Sequence, residues 1–157
     1  MASAIVILSD PALTLPLAPF QRSVRRRVSE ILEIVGPRRQ ATLMVCVLLC
    51  GDGAIRRLNR VWLGRDRPTN VISFRSFDQE IRIRSLGPVP LDAASAPAPH
   101  FRGVKGELIL GDMAVGLERA CREARRAGVE PAKWAGELAR HGLLHILGYS
   151  HRTMPRP

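Results

Sequence analysis

Three of the chain's four histidines, His141, His145 and His151, lie close together near the C-terminal end. On a helix, side chains four residues apart project from one face, about 40° apart in angle and about 6 Å apart along the axis. His151 would point about 240° away from His145 on the same helix. Gly148 can end the helix first, because glycine adopts the left-handed conformation without steric cost. The spacing predicts a metal ion bound by three imidazoles, on the last helix and in the turn after it.

The same histidine spacing resembles the motif of the metzincin metalloproteases. Those proteases carry a glutamate directly after the first histidine, where it acts as a general base. Gly142 occupies that position here. The motif therefore favours a metal site with a different chemistry. A metalloprotease remains an alternative, which chelator-sensitive hydrolysis of casein would support.

The elements that must position these histidines can be placed by apolar periodicity. The last helix is predicted to start at Pro131, and Trp134, Leu138 and the first two histidines form one stripe on it. A second helix is predicted over 113–127, capped by Asp112 and preceded by a short strand over 107–110. A buried strand is predicted over 42–49, and an alternating one over 69–77. Residues 78–105 are rich in proline and alanine and are predicted to be a loop insertion.

Length and charge restrict the class of protein. The chain has 157 residues, which predicts a single domain over 1–157. Its net charge of +10 favours a polyanionic partner such as RNA, although a basic surface without a partner is the alternative. Three scattered cysteines predict no disulfide framework and a reducing, cytoplasmic location. We find no targeting segment and no apolar run long enough to span a membrane, so no membrane association is expected.

Three motifs together resemble the YbeY family of rRNA-maturation endoribonucleases. The histidine motif over 141–151 is similar to the family signature. The run Pro68-Thr69-Asn70-Val71-Ile72-Ser73-Phe74, with the Leu58-Asn59 pair before it, is similar to the middle motif, and Leu110-Gly111-Asp112 to the third. The resemblance extends over about residues 55–151.

The resemblance implies an α+β fold, with a four-stranded mixed sheet and helices around it. It implies one zinc ion on His141, His145 and His151, and cleavage of single-stranded RNA in ribosomal RNA maturation and ribosome assembly. Ribosomal RNA and ribosomal particles are then the expected partners. Three neutral imidazoles leave a coordination position open on zinc, which can activate water without a glutamate.

The chain departs from the family pattern at four places. Leu63 stands where the resemblance implies an arginine, Arg75 where it implies a proline, and Ser150 where it implies an aspartate. The C-terminal helix that usually follows the motif is expected to be missing. Leucine cannot replace the arginine fork that binds phosphate, so Arg65 or Arg60, two or three residues away, is expected to take over that role.

These considerations give a set of expected site residues and one open alternative. Arg65 and Ser73 are the expected catalytic residues, with Asp112 shaping the site, and Arg67 and Arg75 are the expected RNA-binding residues. The alternative is a non-catalytic RNA- or ribosome-binding factor that keeps the metal for stability. Leu63 and the missing helix motivate it, and gain of cleavage in Leu63→Arg would support it.

Overall fold

A computed structural model describes residues 3–36, 41–91, 99–101 and 104–154. Four strands form one sheet: β1 (Ser3–Ser9), β2 (Ala41–Cys50), β3 (Val71–Arg75) and β4 (Gly106–Gly116). The helices are α1 (Leu17–Val35), α2 (Asp52–Leu63), α3 (Phe77–Leu86), α4 (Leu117–Ala127) and α5 (Pro131–Ile146), with a 3₁₀ turn at Pro99–Phe101. The expected α+β class with a four-stranded mixed sheet is confirmed.

The sheet has the strand order β1-β2-β4-β3. The first three of these strands are parallel, and β3 pairs antiparallel with β4. β3 is therefore an edge strand, and Val71 to Arg75 lie opposite Val115 to Gly111. One side of this short strand is free of other strands, which leaves room for a site along it.

One face of the sheet carries the main core. In β2 every second residue, from Leu43 to Leu49, is buried, and these side chains pack with the apolar stripe of α1 and the buried side of α5. Val24, Val28 and Leu32 give α1 that stripe at helical spacing. α5 is thus held between the sheet and its neighbouring helices, so its position is fixed by buried apolar contacts.

The opposite face of the sheet is less covered. α2 packs there through Ile55, which joins Cys50, Ile72 and Ala114 in a small second cluster. Val6, Leu8 and Ile109 stay exposed. Cys46 is half-buried and Cys50 fully buried, and both are free thiols. None of the helices in the described part of the chain is long and apolar enough to cross a membrane.

Two of the expected elements differ from the structure. β4 continues through Asp112 to Gly116, so the predicted helix cap at Asp112 is wrong and α4 begins only at Leu117. Met113 to Val115 extend the strand because they pair with β3 on one side and β2 on the other. Propensity alone did not show this, since the pairing partners are distant in sequence.

The predicted loop insertion over 78–105 is wrong for its first part, because α3 spans Phe77–Leu86. Ser76 caps this helix: its hydroxyl accepts a hydrogen bond from the Gln79 N–H at 3.2 Å. Phe77 and Ile81 are exposed, so the helix lacks the clear apolar stripe by which the others were found. Residues 92–98 and 102–103 of the predicted loop lie outside the described residues.

Candidate metal centre and the cleft around it

α5 supplies two of the three histidines. It begins with Pro131 in the first turn, and the Glu130 carboxylate caps it by accepting from the Ala132 and Lys133 N–H groups at 2.9 and 2.7 Å. His141 and His145 are half-buried on it, as the stripe predicted. A capped and deeply packed helix holds catalytic side chains more rigidly than a loop does.

Gly142 brings the helix close to the edge strand. A Cβ added there would lie 3.0 Å from Val71 Cγ2, 3.2 Å from Met113 Sδ and 3.3 Å from Ser73 Oγ. Any larger side chain would enter the packed contact between α5 and β3. The glycine at this closely packed position supplies no carboxylate, so the base that the metalloprotease alternative would need is missing.

The turn that follows α5, residues 147–153, is named the histidine turn. Gly148 has φ of +99°, and its N–H donates to the His145 carbonyl at 3.1 Å. The helix ends where the glycine predicted. The N–H of Ser150 donates to Thr153 Oγ1 at 2.9 Å, and the Thr153 N–H donates back to the Ser150 carbonyl at 3.0 Å. Ser150 thus closes the turn that carries His151.

The segment after α3 supports the histidine turn. The Val89 N–H donates to the Leu147 carbonyl at 2.9 Å, and the Tyr149 hydroxyl donates to the Val89 carbonyl at 2.8 Å. A Cβ on Gly148 would lie 2.8 Å from Ile83 Cδ1 and 3.0 Å from Pro88 Cα. Part of the region predicted as a loop insertion therefore packs against the turn that carries His151 and stabilises the predicted metal site.

The three imidazoles converge. Their ring centroids are 4.7 Å apart for His141 and His145, 5.3 Å for His141 and His151, and 4.7 Å for His145 and His151. One nitrogen from each ring lies within 4.8 Å of the other two. The structure thus brings together the three histidines that the sequence singled out.

The donor set fits a zinc ion. His145 Nε2 lies 3.1 Å from His141 Nε2, close to the separation of about 3.3 Å for two ligands of a tetrahedral zinc. His145 Nδ1 lies 2.9 Å from the Tyr149 carbonyl oxygen, which can only accept, so the proton is on Nδ1 and the lone pair is on Nε2. This is the tautomer that a metal ligand with Nε2 requires.

His141 and His145 also favour the neutral form. Burial and the neighbouring His145 and His151 lower the pKa of His141. Burial also lowers the pKa of His145, against the hydrogen bond to Tyr149 that raises it. Neutral imidazole is the form that binds metal. The fourth histidine, His100, is buried elsewhere, with Nε2 2.6 Å from the Gly87 carbonyl oxygen.

A cleft of about 1010 Å³ runs from the histidines along β3 to the loop before it. Residues 64–70 form this loop and are named the arginine loop. Seven of the eight side chains expected at the site line the cleft: Arg65, Arg67, Ser73, Arg75, His141, His145 and His151. Leu63 also lines it and is 51% exposed.

Arg65 and Arg67 are exposed in the arginine loop, and their side chains make no hydrogen bond within the described ranges. The backbone of the loop is nevertheless fixed. The buried amide of Asn59 donates to the Arg67 carbonyl at 2.7 Å, and the Arg65 N–H donates to the Asn59 carbonyl at 3.2 Å. Two guanidinium groups that make no hydrogen bond to the described residues therefore line the cleft, and the backbone that carries them is ordered.

Arg75 has partners that the sequence did not reveal. Its Nε donates to the His145 carbonyl at 3.1 Å, and its Nη1 forms an ion pair with Glu80 Oε2 at 2.6 Å. The guanidinium thus ties β3 and α3 to the last turn of α5. It lies in the cleft as expected, but much of its donor capacity is already used to hold the helix that carries the ligands.

Ser73 and Asp112 have different positions. Ser73 lies on β3 next to Gly142, as the alternation predicted, and its hydroxyl makes no hydrogen bond in the described part of the molecule. Asp112 is exposed on β4 and does not line the cleft. The expectation that Asp112 shapes the site is therefore wrong, because the longer β4 places it elsewhere.

Sequence reasoning missed Arg119 and Phe77, which also line the cleft. Arg119 lies on α4, and Phe77 is 80% exposed at the start of α3. Neither belongs to a local motif. Arg119 could have been assigned to the cleft only if β4 and α4 had been placed correctly.

Comparison with known proteins identifies the relatives of this chain. The profile of the family described as Endoribonuclease YbeY matches residues 15–156. A protein of that name from Rhodospirillum rubrum is 38% identical over 109 residues, covering 69% of this chain and 46% of the relative. A protein of the same name from Syntrophus aciditrophicus is 33% identical, and the match covers 84% of this chain and 68% of the relative. Another from Novosphingobium aromaticivorans is 31% identical, and the match covers 92% of this chain and 81% of the relative.

The chain spans about half to two thirds of the length of most of these relatives. A solution structure of a Thermotoga maritima protein is similar in fold, with a TM-score of 0.50 and 22% identity, covering 94% of this chain and 75% of that one. We conclude that this chain belongs to the endoribonuclease YbeY family.

Proposed function

We propose that this protein is a zinc-dependent endoribonuclease that cuts single-stranded RNA and acts in ribosomal RNA maturation and ribosome assembly. The observation that carries the proposal is the convergence of His141, His145 and His151 in a cleft lined by four arginines. A metal ligand set beside several guanidinium groups suits a phosphodiester substrate, which carries one negative charge per nucleotide. Ribosomal RNA and ribosomal particles would then be the partners, in the cytoplasm.

Each group of residues has its own role in this proposal. The histidines would hold the ion, which supplies Lewis-acid activation of water and of the phosphodiester. Arg65 and Arg67 are free to bind backbone phosphates, since guanidinium forks match phosphate oxygens. Arg75 fixes the carbonyl of His145 and has its Nη2 left for the substrate. The Ser73 hydroxyl, beside the helix that carries the ligands, is available to bind a phosphate or a ribose hydroxyl.

The cleft also suits a single strand better than a duplex. Phe77 lines it and is almost fully exposed, and an exposed aromatic ring can stack with an unpaired base. In an A-form duplex the bases are already stacked on each other and are not available to such a ring. This supports the preference for single-stranded RNA.

The test compares metal-loaded and metal-free protein on a single-stranded rRNA precursor and on a matched duplex. We expect about one zinc per chain and cleavage of the single strand alone. His141→Ala should lose the metal and at least about a hundredfold in cleavage rate, since both histidines of the helix are needed as ligands. His100→Gln is the matched control and should retain zinc, because His100 lies outside the cluster.

Two results would contradict the proposal. One is a zinc-replete, folded protein that cleaves no RNA. The other is His141→Ala that cleaves as fast as the unmodified protein. Cleavage that copurifies with the protein but does not follow the zinc content would also point to a contaminating nuclease.

The position of Leu63 favours a second candidate, a non-catalytic factor that binds RNA or the ribosome and keeps the metal for stability. Leu63 lies in the cleft where the resemblance implied an arginine, and leucine cannot bind phosphate. Leu63→Arg separates the two candidates. Cleavage that appears only in this variant supports the binding factor, and strong cleavage by the unmodified protein excludes it.

A further inference from the structure

Arg119 reaches the cleft from α4, an element that holds none of the histidines. Its side chain is 43% exposed. Nε donates to Glu123 Oε1 at 2.9 Å, and Nη1 donates to the Pro68 carbonyl at 3.3 Å. The guanidinium is therefore held between its own helix and the arginine loop.

Glu123 is the anchor of this arrangement. Its carboxylate also accepts from the Asn70 side-chain amide at 3.1 Å and from the Trp134 indole N–H at 3.2 Å. Burial raises the pKa of Glu123, but the hydrogen bonds from Asn70, Arg119 and Trp134 outweigh it and lower the pKa overall. The carboxylate is thus ionised at neutral pH. It holds the Arg119 guanidinium and is itself held by hydrogen bonds from α5 and from the start of β3.

One nitrogen of Arg119 is left over. Nη2 makes no hydrogen bond to any residue in the described ranges, although the other two nitrogens are engaged. A guanidinium whose orientation is already fixed loses little conformational entropy when it binds a ligand. Nη2, with Nη1 beside it, forms a ready fork for an anionic oxygen.

Leu63 also lines the cleft, at the end of α2, where the resemblance implies an arginine. Its side chain is exposed and offers no donor to a phosphate. We propose that Arg119 binds a backbone phosphate of the RNA at the start of β3 and so supplies from α4 the contact that Leu63 cannot make. This inference rests on the proposed function, because it assumes that RNA occupies the cleft.

The position of Arg119 predicts the kind of effect. The residue contacts Pro68 and Glu123 and no histidine, so it acts on substrate binding and not on the ion. KM for RNA should therefore rise in its absence, while kcat and the zinc content stay nearly constant.

The experiment compares two neutralised arginines on the same helix, Arg119→Ala and Arg126→Ala. Arg126 is exposed on α4 and lies outside the cleft. Binding of a labelled single-stranded RNA is measured by fluorescence anisotropy over a series of salt concentrations. Arg119→Ala should bind about tenfold more weakly at low salt. The negative slope of the logarithm of the association constant against the logarithm of salt concentration should become shallower by about 0.7, which corresponds to the loss of one phosphate contact.

A third variant separates binding from folding. Arg119→Lys keeps the positive charge but not the fork, so it should restore the salt slope and only part of the affinity. Thermal unfolding of all three variants reports whether the arginine loop stays in place. If Arg119→Ala unfolds at lower temperature and Arg119→Lys restores neither slope nor affinity, the role is structural and the inference is wrong.

The remaining outcomes are also decisive. Equal affinity and equal salt slope in Arg119→Ala and Arg126→Ala, with an unmodified protein that cleaves RNA, would overturn the inference and leave the proposed function standing. An unmodified, zinc-loaded protein that neither binds nor cleaves RNA would instead overturn the proposed function, and this inference with it.

Discussion

The histidine turn and the arginine loop line one cleft, but they are held in different ways. The histidines depend on close packing as well as on hydrogen bonds: Gly142 packs against β3, Gly148 packs against Ile83 and Pro88, and His145 is hydrogen-bonded to Tyr149 and Arg75. The arginine loop is held mainly by hydrogen bonds to its backbone, from Asn59 to the Arg67 carbonyl and from Arg119 to the Pro68 carbonyl.

The difference follows from what each region must do. Metal ligands must meet within tenths of an ångström, so their supports are buried and shape-specific. Guanidinium groups reach phosphates on long side chains, and the backbone phosphates of a single strand are themselves adaptable. An ordered backbone with free side chains is enough for that task. Substitutions in the two regions should therefore separate metal binding from RNA binding.

The largest effect is expected at Gly148. Gly148→Ala should lower the free energy of unfolding by about 2–5 kcal/mol, because alanine in the left-handed region costs about 1–2 kcal/mol and the overpacking costs about 1–3 kcal/mol more. A Cβ there would lie 2.8 Å from Ile83 Cδ1. Zinc affinity should fall as well, since the substitution displaces His151. Chemical denaturation and a competitive chelator titration measure the two quantities.

Gly64 provides the matched control in the arginine loop. It also has positive φ, +66°, but a Cβ there meets nothing within 4 Å. Gly64→Ala should lower the free energy of unfolding only by the cost of placing alanine in the left-handed region, about 1–2 kcal/mol. It should leave zinc affinity unchanged. If both variants lose zinc equally, the two regions are not independent and the comparison fails.

An intermediate effect is expected at Asn59, which is 3% exposed. Asn59→Ala removes the donor to the Arg67 carbonyl and should cost about 1–2 kcal/mol of unfolding free energy. RNA affinity should fall several-fold with about one zinc still bound. Asp66→Ala, which removes only an exposed ion pair with Arg56, should leave the unfolding midpoint nearly unchanged, because exposed ion pairs contribute little to stability. Loss of zinc in Asn59→Ala would contradict the separation.

The smallest effect is expected at Glu123, which joins the arginine loop to α4 and α5. The pKa of Glu123 is lower in the folded protein than the ordinary value of 4.5, so its ionised form stabilises the fold. That contribution is present above the unfolded pKa and is lost as pH falls through the folded one. Glu123→Gln should cost about 1 kcal/mol near pH 7, and the difference from the unmodified protein should shrink below about pH 4.5.

Denaturation curves from pH 7 down to pH 3 measure this difference. A difference in unfolding free energy between the two proteins that stays constant, or increases, as the pH falls would show that the Glu123 carboxylate is not held in its ionised form. Zinc binding is best left out of this series, because metal affinity itself depends on pH.

Local sequence determined most of the metal centre. Residues four apart on a helix share a face, and a glycine with positive φ ends that helix, so His141, His145 and Gly148 could be placed from spacing alone. The motifs also led to the correct family and to the mixed four-stranded sheet. The placement of the histidines and of Gly148 uses only contacts within one or two turns of the chain, whereas the family and the sheet were inferred from the resemblance of several motifs.

The tertiary structure decided what depends on distant residues. Asp112 lies in a strand because β2 and β3 pair with it on both sides, and α3 is a helix despite its weak apolar stripe, with its end packed under the histidine turn. Arg75 is bound to His145 and Glu80, and Arg119 enters the cleft from α4. Strand pairing and side-chain packing between segments far apart in sequence set these positions, and no local pattern encodes them.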